Sequence, residues 1–290
     1  MKAIRNLITT LVVVVAILGV VIIGGYIYVR TTYGIDLFRT AEQLKTLTQA
    51  VDEKALCPNA FGEEDFAAMK TELNKKFDGF VSYEEGKGFN GYSVNFGALA
   101  GKSMSGTISL TEKQVGAITQ TVFYVQTGGK IKIGEKDVSV TVVQVDFSEI
   151  ATNGSADFNV VAKIDLTPFK ADMGEFPYKY FKKYIPDNFY VSSTVRVDKT
   201  EKDGFSYTVT HKSLTLNNLS ADDTADLFNT LNAVLKIGTA ENLNKQIGET
   251  AVNALIGTAE NSGFAYSMKA IGATAFRFET ASDTERFVVN

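Results

Sequence analysis

Two stretches decide how this chain folds: VSVTVVQVDF at residues 138–147 and FNVVAKIDL at residues 158–166. In the first, Val138, Val140 and Val142 alternate with polar residues, the period of two that marks a half-buried strand. The phase then slips by one to Val143, Val145 and Phe147, as a β-bulge produces. In the second, Phe158, Val160, Ala162, Ile164 and Leu166 share one face, with Asn159, Lys163 and Asp165 opposite. Asn153-Gly154 between the two is a hairpin turn signal, in a loop that can exceed two residues.

Further along, Val191, Ser193, Val195 and Val197 form a third alternating run. Phe205, Tyr207 and Val209 begin a fourth, which slips phase and continues as Leu214 and Leu216, with Lys202-Asp203-Gly204 as the joining turn. Four such strands adjacent in sequence predict an antiparallel sheet, and the helical patterns gathered on either side make the class α+β.

On the N-terminal side, Leu37, Ala41, Leu44, Val51 and Ala55 place a helix over 35–56, ended by Cys57-Pro58-Asn59. Phe66, Met69, Leu73 and Phe77 form the face of a second helix. A third opens with the capping box Thr111/Gln114 and carries Val115, Ile118, Val122 and Val125. On the C-terminal side, Ser220 with Asp223 opens a helix bearing Leu227, Phe228, Leu231, Val234 and Leu235. Another follows Gly238 with Leu243, Ile247, Ala251 and Leu255, and two short strands are expected around 264–271 and 274–278.

Residues 7–29, LITTLVVVVAILGVVIIGGYIYV, contain no charge. At about 1.5 Å per residue they span about 34 Å as a helix, enough for a hydrocarbon core of about 30 Å. A cleaved signal peptide has a shorter apolar core and a small-residue cleavage site, whereas this stretch runs into Tyr28-Val29-Arg30. Lys2 and Arg5 precede it, which puts the N-terminus in the cytoplasm and the bulk outside. The expected organisation is a short cytoplasmic tail (1–6), a single-pass transmembrane helix (7–29), a juxtamembrane helical stalk (30–58) and an extracytoplasmic α+β domain (59–290). Cell membrane is the expected location, with the bilayer as the first partner.

The 290 residues carry a net charge of −4, and 45% are hydrophobic. That is a folding composition without a basic nucleic-acid footprint, so no nucleic-acid partner is expected. The one cysteine, Cys57, excludes an intrachain disulfide and a multi-cysteine zinc site.

The chemical motifs are weak. Gly97-Ala-Leu-Ala-Gly101-Lys102-Ser103 has three residues between its glycines where a phosphate-binding loop needs four. His211 is the only histidine, and nothing in the sequence brings Cys57 or a carboxylate to it. Glu63-Glu64-Asp65 and Asp222-Asp223 stand at helix N-termini, where the helix dipole accounts for them. No catalytic residue, metal ligand or cofactor is expected, and the chain reads as a non-enzyme. The segment Phe176-Pro-Tyr-Lys-Tyr-Phe-Lys-Lys-Tyr-Ile185 puts Tyr178, Phe181 and Ile185 on one helical stripe, with lysines off it. Such a helix can cap a sheet or lie at the mouth of a groove or against lipid.

One resemblance adds to this. Ser-Leu-Thr-Glu-Lys-Gln at 109–114 opens a helix, and two long strands end in Lys163-Ile-Asp-Leu-Thr-Pro-Phe169. Tyr184-Ile-Pro186, Phe189-Tyr-Val-Ser-Ser193 and Leu214-Thr-Leu-Asn-Asn-Leu-Ser220 follow in order. Over about residues 107–235 this patterning resembles the YpmS-like single-pass membrane proteins of Gram-positive bacteria, and more distantly the tubular lipid-binding (TULIP) and AsmA-like domains. The resemblance implies a curved antiparallel β-sheet domain with packing helices, a hydrophobic groove and an envelope role. The function expected first is a membrane-anchored binding protein of the bacterial cell envelope holding a lipid or acyl chain. Val160, Ile164, Val195 and Phe205 would line the groove, with Tyr178 and Phe181 at its mouth. The alternative is a structural or interaction component of an envelope protein complex, with a protein partner and no small-molecule ligand.

Overall fold

A computed structural model describes residues 37–133, 136–168, 186–200, 203–235, 239–260 and 263–290. The stretch at 7–29 and the segment carrying Tyr178 and Phe181 lie outside these residues. Among the described residues no helix is long and apolar enough to cross a membrane. The class is α+β, with antiparallel sheets and several helices.

The two decisive stretches are neighbours at the centre of a five-stranded antiparallel meander in the order β4-β5-β6-β7-β8. Its strands are β4 (Lys130–Ile133), β5 (Lys136–Ser148), β6 (Ala156–Asp165), β7 (Asn188–Lys199) and β8 (Tyr207–Leu216). Both phase slips are real bulges. On β5, Val142 pairs with Ala162 and Gln144 with Val161, leaving Val143 as the extra residue. On β8, Ser213 pairs with Thr194 and His211 with Val195, leaving Lys212 extra. Val138, Val140, Val142, Val145 and Phe147 all face the core. Val143 was expected to share that phase, but the bulge turns it to the other face, against Cys57, Val161 and Tyr190. Phe61 N–H then donates to the Val143 carbonyl at 3.3 Å.

Two helices cover the apolar face: α4 (Glu112–Thr127), after β3 (Ile108–Thr111), and α6 (Ala240–Leu255). The expected capping box starts α4: Gln114 N–H donates to Thr111 Oγ1, and Thr111 N–H to Gln114 Oε1. Val115, Ile118 and Val122 are buried as expected, but Val125, in the last turn of the helix, is 54% exposed. The bulges leave backbone groups that these helices satisfy. Gln120 Oε1 on α4 accepts Val142 N–H at 2.7 Å, and Asn244 Nδ2 on α6 donates to the Thr194 carbonyl at 2.8 Å. Gly248 lets α6 lie close to β7, since a Cβ there would meet Val195 Cγ1 at 2.2 Å.

The chain end departs from expectation. Residues 264–271 are helical, α7 (Phe264–Ser267) followed by a 3₁₀ turn to Ile271, where a strand was expected. Phe264, Ala265, Met268 and Ile271 are buried at a helical spacing, so the core selects a helix. The strand expected around 274–278 is present as β9 (Phe276–Ala281), and a further strand, β10 (Thr284–Val289), follows it after a turn at Ser282 and Asp283, both left-handed. With β3 they form a three-stranded sheet in the order β3-β10-β9. Phe278 packs edge-on to Phe276 and tilted against Phe287 inside it, and reaches Phe147 of the meander at 4.8 Å between ring centroids.

The helix expected over 35–56 is two, α1 (Leu37–Thr48) and α2 (Glu53–Leu56), because Asp52 caps the second by accepting from Lys54 and Ala55 N–H. Both lie against the body. Leu47 is buried and its carbonyl accepts from Asn217 Nδ2 at 2.7 Å. Glu53 holds Tyr190 OH at 2.7 Å and Lys163 Nζ at 3.0 Å. Burial pushes the Cys57 thiol up to about 11, so it is a packing residue and a poor nucleophile. Helix α3 (Glu63–Lys76) follows, with Phe66, Met69 and Leu73 buried as the spacing required and the acidic cluster in its first turn. Short strands β1 (Val81–Tyr83) and β2 (Tyr92–Val94) pair beyond it, and α5 (Ala221–Leu235) starts at the expected Ser220–Asp223 cap.

Glu112, the first residue of α4, is half-buried and accepts Phe147 N–H. Burial, with Asp146 and Glu285 nearby, pushes its pKa up to about 7. The folded state therefore holds this proton more tightly than the unfolded chain, and stability falls as pH rises from about 4.5 to about 7. Glu112→Gln should raise Tm at pH 8 by about 2–4 °C, equivalent to roughly 1 kcal/mol after solvent screening, with almost no gain at pH 5. Thermal melts at the two pH values check this, and equal gains at both would rule out the titration.

Candidate functional site

The two covering helices do not meet along their whole length. Between α4 and α6 a cleft of about 470 Å³ opens onto the meander. Its floor is Val140 and Val142 from β5 with Val160 and Ala162 from β6. Alternation puts these four on one face, and the β5 bulge lies within that floor, opposite Val161 and between Ala162 and Val160. One wall is Thr119 and Phe123 of α4, and the other is Ile247, Ala251 and Ala254 of α6. Small alanines on floor and wall leave the room that a Leu or Phe would fill. The volume lies within the range of about 300–1,000 Å³ usual for small-molecule sites.

The polar groups of the cleft are few and mostly satisfied. Thr127 Oγ1 donates to the Phe123 carbonyl at 2.8 Å, and Thr250 Oγ1 to the Gln246 carbonyl at 2.7 Å. Asn253 Oδ1 accepts from Tyr207 OH, whose burial raises its pKa above the ordinary phenol value. Gln126 and Glu260 are exposed at the rim. Thr119 is different. It is only 4% exposed, and its hydroxyl has no hydrogen-bond partner among the described residues.

Of the residues expected to line a groove, Val160 lines this cleft. Val195 is buried on the same sheet face, but Gly248 of α6 sits directly over it. Ile164 is fully buried in the core. Phe205 is buried elsewhere, against Tyr266 and Phe276. Tyr178 and Phe181 fall outside the described residues. Sequence reading missed the α4 and α6 walls. Their signal was the run of small residues at Ala251 and Ala254, set among the apolar positions of a helix already recognised.

A second depression, about 300 Å³, gathers His211, Lys212, Asp222 and Glu241. Asn244 Nδ2 must be the amide nitrogen, since it also bonds the Thr194 carbonyl, so His211 Nδ1 is an acceptor at 2.8 Å. A hydrolytic triad instead needs that nitrogen to donate to a carboxylate. Among the described residues no group of three or more metal-ligating side chains is placed to hold an ion. Gly97–Leu99 belongs to a 3₁₀ turn, and Lys102 N–H closes back on the Leu99 carbonyl instead of opening a helix. Compared with known proteins, the chain matches no family model, no curated protein and no solved structure.

Proposed function

We propose that this chain is a membrane-anchored, extracytoplasmic binding protein of the cell envelope that holds a lipid acyl chain in the cleft between α4 and α6. The observation that carries the reading is the cleft's construction: an open space of about 470 Å³ over a floor of Val140, Val142, Val160 and Ala162. An apolar chain would gain by covering that floor, at about 25 cal/mol per Å² of surface removed from water. The uncharged stretch at 7–29 supports the same reading, because an anchored domain meets lipid at high local concentration. The two bulges of the meander favour strand twist and bending, which lends support to the curved sheet that the YpmS-like and TULIP-like resemblance implies.

Native mass spectrometry of the full-length chain, released from membranes in nanodiscs, tests this. The expected result is a retained lipid adduct. Ala254→Trp, which fills the cleft from its half-buried wall, should reduce the adduct about tenfold with Tm within a few degrees of the parent. Absence of any adduct from the parent chain, or an adduct indifferent to Ala254→Trp, would sink the reading. Crosslinking from the same wall to a protein in place of lipid would favour the interaction-component alternative.

A further inference from the structure

We propose that the occupant of the cleft is an uncharged acyl ester, whose carbonyl or hydroxyl is held by Thr119, and that carboxylate- and phosphate-headed lipids are disfavoured there. This rests on the reading of the cleft as an acyl-chain site, and it adds the chemical class of the ligand.

Three threonines line the cleft, and two of them are closed upon their own helices through the Phe123 and Gln246 carbonyls. Thr119 is not, although it is more deeply buried. A hydroxyl can donate one hydrogen bond and accept two, and burial without a partner is unfavourable, so a ligand group that reaches it gains affinity and orientation. A purely hydrocarbon occupant would leave it unsatisfied. The charge pattern narrows the class. Glu260 is the only ionisable side chain lining the cleft among the described residues, and no lysine, arginine or histidine joins it. An anionic headgroup brought to the mouth of the cleft would be repelled by the Glu260 carboxylate, with no cation among the lining residues to balance either charge. The hydroxyls of a neutral ester can instead donate to Glu260. Apolar walls, one unpartnered buried hydroxyl and an acidic rim together describe a monoacylglycerol-like molecule.

The test uses the full-length chain in phosphatidylcholine nanodiscs and three photoactivatable probes that share one saturated chain: an alkane, a free fatty acid and a monoacylglycerol. Labelled peptides are mapped to α4 and α6. At pH 8 the monoacylglycerol should label about tenfold more than the fatty acid. Thr119→Val should bring monoacylglycerol labelling down to the alkane's level and leave the alkane's own labelling unchanged, which a merely structural role would not do. Glu260→Lys should raise fatty-acid labelling. Equal labelling by fatty acid and ester, or ester labelling indifferent to Thr119→Val, overturns this inference and leaves the acyl site standing. Failure of all three probes, the alkane included, to label the cleft overturns both.

Discussion

Phe278→Ala is expected to cost about 3–5 kcal/mol of stability, the range for deleting a fully buried aromatic ring that cannot be refilled. Phe278 joins two sheets. Its ring lies 5.3 Å from Phe287 and 6.1 Å from Phe276 inside the three-stranded sheet, and 4.8 Å from Phe147 of the meander. Such rings add edge and tilted-face attraction to the area that they bury. Removing the ring leaves a cavity at the point where these four aromatics converge. Urea unfolding should show a lower midpoint with an unchanged slope, and Tm should fall by about 10 °C or more. A loss under about 1 kcal/mol would mean that the two sheets are not packed through this ring.

Asn217→Asp should be comparably damaging but dependent on pH. Asn217 is 3% exposed and left-handed, with φ 48°. Its Oδ1 accepts Tyr190 N–H at 2.7 Å, and its Nδ2 donates to the Leu47 carbonyl at 2.7 Å. Asparagine is one of the few residues to occupy that backbone region readily. Aspartate keeps the fold of the turn and the first bond, but it aims an oxygen at the Leu47 carbonyl. Ionised, it is a buried charge with no cation described beside it. The loss expected at pH 8 is about 3 kcal/mol or more. Repulsion and burial would raise the new carboxyl's pKa in the fold above the unfolded value of about 3.9, so the variant loses stability as pH rises through that interval and recovers as pH falls. Asn217→Ala removes both bonds without the charge and should show a loss independent of pH. Melts of the two variants at pH 4 and pH 8 separate the cases, and parallel curves would refute the buried-charge account.

The residues that reported the fold most faithfully were those whose neighbours are close in sequence. The bulges at Val143 and Lys212 were visible as phase slips, since a one-residue insertion reverses every later side chain. The Thr111 and Ser220 caps were visible because a capping residue bonds within its own first turn. What could not be read were contacts made across the chain. Strand β3 is four residues long and pairs with β10, so nothing near Ile108 announces it. The strand expected at 264–271 failed because its helical burial spacing is decided by a core assembled elsewhere. The candidate site divides in the same way. Val160 was identified from alternation, whereas Val195 and Ile164 share its face and are sealed by packing that alternation does not encode. Thr119 gave no signal at all, because a threonine on a helix stands out only when its neighbours' hydroxyls are seen to be paired and its own is not.

The topology also imposes an order on biosynthesis. The meander is assembled from strands that neighbour one another in sequence, so each pair can form as soon as its second strand emerges into the compartment where the chain folds. The β3–β10 pairing cannot form then, since Ser109 and Arg286, bonded across it, are 177 positions apart. Until the last strand emerges, β3 has an open edge and the apolar faces of Phe147 and Phe158 lack their lid. An emerging chain of this design is therefore exposed to aggregation until its C-terminal strand arrives, and a holding chaperone, or rapid emergence of the remainder, has most to contribute in that interval.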